Sequence, residues 1–362
     1  MAPETDDTVR LPEGTSATLL GGFKIDKASG AWLTQDCPEK PRGLINYGNT
    51  CFCNTALQML FSSAYFIKSI RGTYQEITGG KRPSLDHVKF IETILKVFNN
   101  STRNTADIAN QKILWQIMSK LKPDYSSGQQ QDCHECIITL LDWIERMERI
   151  PEDTTRKQRK ISLGSSHEEV MRSFGIYWWN ELTYRMDRKQ NSIAIKFHGL
   201  YHNSSTCTVC KRENNQWSLF SNITITTYAK TFLDWLKEFS KPEEIEEYQC
   251  DCCKNRQKAI RKMEIWRYPD IFILHSVLKT MNNLKTEFEV DEPERGRTKF
   301  ILKSIGFHSG SSINSGHYYC AVKYCDKWWM ISDESVQGPI NPFKELPPHV
   351  NDTYLLLYER VQ

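Results

Sequence analysis

The sequence predicts an α+β fold, a helical first half followed by a strand-rich second half. Three observations carry this. Between residues 51 and 147 apolar side chains recur at helical spacing in four successive stretches. Beyond about residue 190 the apolar runs become short and rich in β-branched and aromatic residues. The two patterns do not alternate, which argues against repeated βαβ units.

The first stripe, Leu57, Leu60, Phe61, Ala64 and Ile67, predicts one helix from Cys51 to about Ile70, with Asn49 or Thr50 placed to cap it. Val88, Ile91, Leu95 and Phe98 make the second stripe, and Ile113, Leu114, Ile117 and Leu121 the third. Ile137, Leu140, Leu141, Ile144 and Met147 make the fourth. After a polar stretch at about 150–170, strands are expected at 193–200, 219–226, 271–278, 300–307, 318–324, 328–331 and 354–358. One helix, about 231–239, interrupts them. Residues 1–42 mix Pro, Gly, Ser, Thr and charges without periodicity and read as a flexible leader, so the chemistry is expected in 43–362.

Hydrophobic residues make up 39% of the chain and charged residues 25%, which excludes the composition of a disordered or membrane-embedded protein. The net charge of +3, from 47 basic against 44 acidic residues, supplies no bulk attraction for nucleic acid. No apolar run has the length of a signal peptide or a membrane span, so neither a membrane nor a nucleic-acid partner is expected, and the cytosol or nucleus is the expected location. In that reducing setting twelve cysteines read as catalytic, metal-binding or buried apolar residues rather than as a disulfide framework. The run Arg156-Lys157-Gln158-Arg159-Lys160 reads as a solvated loop or helix face. Nothing in the sequence reports the oligomeric state.

In Gly43-Leu44-Ile45-Asn46-Tyr47-Gly48-Asn49-Thr50-Cys51-Phe52 a thiol stands between a glycine-bearing turn and a helix start. The positive end of the helix dipole and nearby backbone N–H groups favour thiolate, the nucleophilic form. Such a cysteine is equally a buried structural thiol when taken alone. Asn46, five residues earlier, carries an amide able to donate to an oxyanion formed at the attacked carbonyl. In Ser315-Gly316-His317-Tyr318-Tyr319 a histidine opens a strand beside a glycine, and a neighbouring strand ends at Ser332-Asp333. Paired strands would bring Ser332 or Asp333 to the imidazole as the third member of a Cys–His–acid arrangement. Cys207-Thr208-Val209-Cys210 and Cys250-Asp251-Cys252-Cys253 form two Cys-x-x-Cys knuckles. Cys207, Cys210, Cys250 and Cys253 together suit one tetrahedral structural zinc, with Cys252 surplus and no open position for catalysis.

These segments resemble the ubiquitin-specific protease family of deubiquitinases. The Cys51 segment through Leu57-Gln58 is similar to the family's cysteine box, and Gln130-Gln131-Asp132-Cys133-His134-Glu135 to its Gln-Gln-Asp-Ala-His-Glu box. Residues 302–319 with 328–336 resemble the histidine box, and Tyr354-Leu355-Leu356-Leu357-Tyr358 the closing strand. The resemblance implies a papain-like cysteine protease with a helical thumb (about 43–190), zinc-bearing fingers (about 191–265) and a β-rich palm (about 266–362). It implies hydrolysis of the peptide or isopeptide bond after the C-terminal glycine of ubiquitin, with ubiquitin or ubiquitinated proteins as partners. Cys51 would be the nucleophile, His317 the base and Asn46 an oxyanion donor. Gln130, Asp132, His134, Gly316 and Tyr318 would meet the substrate, and one zinc ion would be structural, with no catalytic cofactor. A protease for another ubiquitin-like modifier and a weakly catalytic ubiquitin binder are the alternatives.

Three departures from the family pattern stand out. Four residues before Val336, where the family places the Asp or Asn that orients the histidine, this chain has Ser332, and the acid follows at Asp333. His275-Ser276-Val277-Leu278 stands where the family has Leu-Lys-Arg-Phe after the histidine. Cys133 and Cys136 replace small and aromatic residues of the second box, which a buried thiol tolerates.

Overall fold

The structure, a computed structural model, describes residues 17–20, 23–26, 40–79, 85–103, 108–148, 166–183, 193–278, 284–312, 315–341 and 347–361. Its helices are α1 (Cys51–Phe61), α2 (Ala64–Gly79), α3 (Leu85–Arg103), α4 (Ala109–Leu121), α5 (Cys133–Glu148), α6 (His167–Leu182), α7 (Ile193–Phe197) and α8 (Phe232–Phe239). The strands are β1 (Ala17–Leu20), β2 (Phe23–Asp26), β3 (Gly199–Cys207), β4 (Glu213–Phe220), β5 (Ile223–Ile225), β6 (Glu243–Gln249) and β7 (Arg256–Arg267), followed by β8 (Ile271–Ser276), β9 (Glu287–Glu292), β10 (Gly296–Ser312), β11 (Ser315–Tyr324), β12 (Lys327–Ser332), β13 (Ser335–Ile340) and β14 (Thr353–Arg360). The α+β class stands as expected.

The large sheet runs β13-β12-β11-β10-β14-β8-β5, with β9 added on β10; every pairing is antiparallel except β5 with β8. Its central strands are apolar on both faces, and their alternation sorts side chains between two cores. Ile271, Ile273, Tyr318, Cys320, Val322, Leu355 and Leu357 face the helices α1 to α5. Phe272, Leu274, Tyr319, Ala321, Leu356 and Tyr358 face the other way, against Phe232 and Trp235 of α8. The strands therefore read as continuous apolar runs in the sequence. Helix α1 is buried along its whole length, because the sheet and its neighbouring helices enclose it.

A second sheet, β4-β3-β7-β6, is antiparallel and mostly polar, with a small core of Trp179, Leu200 and Trp266. Opposite charges paired across its strands, among them Glu243 with Arg261 and Glu244 with Lys258, stand in for apolar alternation, so β6 and much of β7 carry no strand pattern in the sequence.

Several boundaries differ from expectation for identifiable reasons. The single helix expected to run from Cys51 to about Ile70 is two, because Ser62 and Ser63 interrupt it. Ser62 Oγ donates to the Met59 carbonyl (2.7 Å), and Ser63 Oγ accepts the Phe66 N–H (3.0 Å), so it acts as a cap that starts the next helix. Residues 193–197 are a helical turn with Ile193 and Phe197 buried four apart, and the strand begins only at Gly199. The expected strand at 219–226 is the end of β4 plus β5. Helix α6 went unread, although Ser166 and Glu169 form a capping box in the Ser-x-x-Glu pattern that marks a helix start. Within the leader, β1 and β2 pair antiparallel. The basic run at 156–160 lies outside the described residues. Cys325 is disulfide-bonded, a departure from the all-reduced reading, whereas the other described cysteines are free.

Candidate active site

Cys51 opens α1, 3% exposed, and the loop before it is folded by its own polar side chains. Asn46 Oδ1 accepts the Gly48 N–H (3.0 Å) and the Thr50 N–H (3.1 Å), and Thr50 Oγ1 accepts the Tyr47 N–H (3.0 Å). Neither Asn49 nor Thr50 caps α1 with its side chain; Asn49, at φ +54°, donates instead to the Gly128 carbonyl (2.8 Å). More distant groups hold the loop from outside. Gln111 of α4 takes both sides of Ile45, accepting its N–H (2.9 Å) and donating to its carbonyl (2.8 Å), while Gln58 donates to the Arg42 carbonyl (2.8 Å).

His317 is the third residue of β11, close to the strand entrance, and β12 is its neighbour, as the sequence predicts. Its Nε2 lies 2.7 Å from Ser332 Oγ. With Nε2 so engaged, Nδ1 is the ring nitrogen left for the Cys51 thiol. Asp333 does not meet the imidazole by hydrogen bond. The backbone turns at Asp333 (φ +49°), and its carboxylate reaches the cysteine loop, accepting Asn46 Nδ2 (2.8 Å) and Asn54 Nδ2 (2.8 Å). The Asp333 carbonyl also accepts the Leu44 N–H (2.8 Å). Ser332 and Asp333 thus divide the work, one holding the histidine and one holding the loop that carries Asn46. Gly43 is required at this seam, because a Cβ there would lie 2.1 Å from the Asp333 carbonyl oxygen. Asn54 and Gln111 were missed in the sequence; a polar Asn within the apolar stripe of α1 was the one available sign.

The electrostatics match a thiolate–imidazolium pair. Burial opposes ionisation of Cys51, but hydrogen bonds from His317, the Tyr318 backbone N–H and Gln130, with the His317 charge, outweigh it and bring the thiol below its ordinary value. His317 is raised, first by its hydrogen bond to Cys51, against burial, with the thiolate charge and the more distant Asp333 charge adding. A nucleophile and a base in contact, the base held by a third group, is the constellation that acyl transfer requires.

The remaining expected contact residues fall into different places. Gln130 Nε2 donates to Cys51 Sγ (3.3 Å) and to the Gly316 carbonyl (2.8 Å). Asp132 caps α5 by accepting the Glu135 N–H (3.0 Å) and takes the Tyr354 hydroxyl on its other oxygen. His134 Nε2 lies 3.1 Å from Asn222 Oδ1, and its ring stacks on His275 at 4.1 Å. Burial, chiefly, lowers both imidazoles, His275 to about 4, so both are neutral near pH 7. Gly316 sits at φ +153°, where a Cβ would come 2.4 Å from the Ser309 carbonyl oxygen. The Tyr318 ring is fully buried against His308, so only its backbone faces Cys51. Beyond β8, Val277 and Leu278 are 45% and 52% exposed.

The four knuckle cysteines converge at one end of the second sheet. Cys207 and Cys253 sulfurs are 3.9 Å apart and those of Cys210 and Cys250 are 3.5 Å apart, with all four within 4.8 Å of one another. A tetrahedral site with Zn–S bonds of about 2.3 Å sets its sulfurs roughly 3.8 Å apart, so the cluster has the dimensions to bind a zinc ion. The two knuckles are built alike. Lys211 and Lys254 each follow the second cysteine at positive φ (+59° and +56°), and their N–H groups close onto the Cys207 and Cys250 carbonyls (3.0 and 2.8 Å). Cys252 is exposed and outside the cluster.

Comparison with known proteins agrees with this geometry. The family profile described as "Ubiquitin carboxyl-terminal hydrolase" matches residues 42–358. The chain is 25% identical over 365 residues to ubiquitin carboxyl-terminal hydrolase 4 of Arabidopsis thaliana, covering 93% of this chain and 98% of the relative. It is 24% identical over 352 residues to ubiquitin carboxyl-terminal hydrolase 12 of Salmo salar, covering 88% and 89%. Among solved structures, the SAGA Ubp8/Sgf11/Sus1/Sgf73 module bound to monoubiquitin aligns with a TM-score of 0.67 at 19% identity, over 89% of this chain and 69% of that one, which shows a shared fold. With the profile spanning nearly everything from the cysteine loop to the closing strand, the chain belongs to the ubiquitin carboxyl-terminal hydrolase family, the ubiquitin-specific protease type of cysteine deubiquitinase.

Proposed function

We propose that this chain hydrolyses the bond after the C-terminal glycine of ubiquitin, with Cys51, His317 and Ser332 as its triad and a thioester intermediate. The observation that carries this is the chain of contacts from the Cys51 thiol to His317 and from His317 Nε2 to Ser332 Oγ at 2.7 Å. The Cys51 thiolate attacks the glycine carbonyl, forming the C–S bond and moving charge onto oxygen. Collapse of that oxyanion expels the lysine amine, which takes its proton from the His317 imidazolium. A water molecule, deprotonated by His317, then attacks the thioester, and Cys51 leaves as thiolate. Asn46 is held with its amide against Asp333, and its second N–H remains for the oxyanion. Relatives named for this hydrolysis, and a ubiquitin-bound structural neighbour, support ubiquitin as the partner.

One structural zinc on Cys207, Cys210, Cys250 and Cys253 would tie β3 and β4 to β6 and β7, keeping the fingers in shape to hold the modifier body; all chemistry stays with the triad. The catalytic unit runs from 43 onward as thumb, fingers and palm. The pair Val277 and Leu278, apolar and exposed where the family carries charge, keeps a second reading open: recognition of a ubiquitin-like modifier. The test is a panel of ubiquitin and ubiquitin-like proteins with thiol-reactive C-termini. Attachment of ubiquitin to wild type and not to Cys51→Ala, with Cys51→Ala still binding free ubiquitin, is the expected result. Hydrolysis by purified Cys51→Ala overturns the mechanism, and attachment of a ubiquitin-like protein alone overturns the substrate.

A further inference from the structure

We propose that Gln130 is a catalytic residue: its side-chain amide donates to Cys51 Sγ before attack and to the substrate oxyanion after it. The inference rests on Cys51 being the nucleophile. A primary amide has two N–H donors. One from Gln130 reaches Cys51 Sγ at 3.3 Å, and the other reaches the Gly316 carbonyl at 2.8 Å. Both can be made at once, so the amide is fixed in orientation.

Gln130 is only 8% exposed, which removes competing water and strengthens what it donates. It stands just ahead of α5, and its contact with Gly316 fastens the strand entrance carrying His317 to the helix side of the cleft. Gly316 is itself tightly enclosed on its other side, where a Cβ would collide with the Ser309 carbonyl oxygen and the His308 ring.

As the Cys51 thiolate donates its electron pair to the glycine carbonyl carbon, the carbonyl π pair moves to oxygen, and the negative charge shifts from sulfur to an oxygen bonded to the same carbon. That oxygen lies within about 3 Å of the sulfur, so a donor aimed at Sγ needs only a small displacement to follow the charge. Donors that act on charge developing in the transition state are the ones that raise kcat. Asn46, the donor expected from the sequence, has one N–H held by Asp333, so Gln130 supplies a second side-chain donor to the oxyanion site.

The experiment uses full-length zinc-loaded protein carrying Gln130→Met, with Gln130→Glu as the near-isosteric second variant. Steady-state hydrolysis of ubiquitin with a fluorogenic C-terminal amide is measured beside the pH dependence of Cys51 alkylation by iodoacetamide. The expected result is a loss of about 10²-fold in kcat with KM within about twofold, together with an upward shift of the alkylation midpoint. Gln130→Glu should shift that midpoint further, because a carboxylate repels the thiolate. A raised KM with kcat and midpoint unchanged overturns the proposal and makes Gln130 a modifier contact only, as does wild-type behaviour of either variant that melts like the parent. Hydrolysis surviving in Cys51→Ser overturns the nucleophile assignment itself, a failure distinct from that of Gln130.

Discussion

Replacing Asp333 with alanine should damage catalysis more than replacing Ser332, although only Ser332 touches His317. Ser332→Ala removes one hydrogen bond to the imidazole (2.7 Å), which matters most while His317 is charged. A hydrogen bond to a charged group contributes about 1.5 kcal/mol at the low end, which is about a tenfold fall in kcat. Asp333→Ala removes a carboxylate that accepts both Asn46 (2.8 Å) and Asn54 (2.8 Å). Two charge-assisted bonds, counted at the same low end because the site is partly solvated, sum to about 3 kcal/mol, or about 10²-fold. Part of the Asp333 field at His317 is lost as well. Asp333→Asn can keep one acceptor and should fall between, near tenfold. The assay is kcat and KM for ubiquitin with a fluorogenic C-terminal amide, with melting temperature as the control for folding. A wild-type kcat in Asp333→Ala, or a loss in Ser332→Ala exceeding it, would refute the division of labour between the two residues.

Purified protein should carry one equivalent of zinc by elemental analysis, and Cys250→Ser should raise KM for ubiquitin more than it lowers kcat; protein without zinc that binds ubiquitin normally removes the metal from the account. The ratio kcat/KM should rise with pH as the Cys51 thiol, held below its ordinary value, ionises, and fall as His317, held above its ordinary value, loses its proton. His317→Ala should move the Cys51 alkylation midpoint upward, and an unmoved midpoint would mean that the pair is not in contact. Gly43→Ala places a Cβ against the backbone of Asp333 and should break the bond from the Leu44 N–H, lowering stability by about 1–3 kcal/mol and kcat with it; a wild-type melting temperature would show that the seam can open without cost.

The α+β class, the meeting of Cys51 with His317 and the clustering of the knuckle cysteines were legible because each rests on a local signal: apolar period, a thiol at a helix start, a histidine near a strand entrance, Cys-x-x-Cys spacing. The central strands were legible because burial on both faces forces continuous apolar runs such as Ile271-Phe272-Ile273-Leu274. The polar sheet was not, since Glu243–Arg261 and similar pairs replace hydrophobic alternation with contacts that exist only once strands are side by side. The same holds at the site. Which of Ser332 and Asp333 reaches His317 depends on one backbone turn at φ +49°, a dihedral choice that the identity of the two residues does not announce. That Gln130 from the approach to α5, Gly316 from β11 and Cys51 from α1 share one amide is a matter of how three elements pack. Sequence specifies which groups are able to react; their mutual distances are set by long-range packing, in which residues 287 positions apart, such as Asn46 and Asp333, come within 2.8 Å.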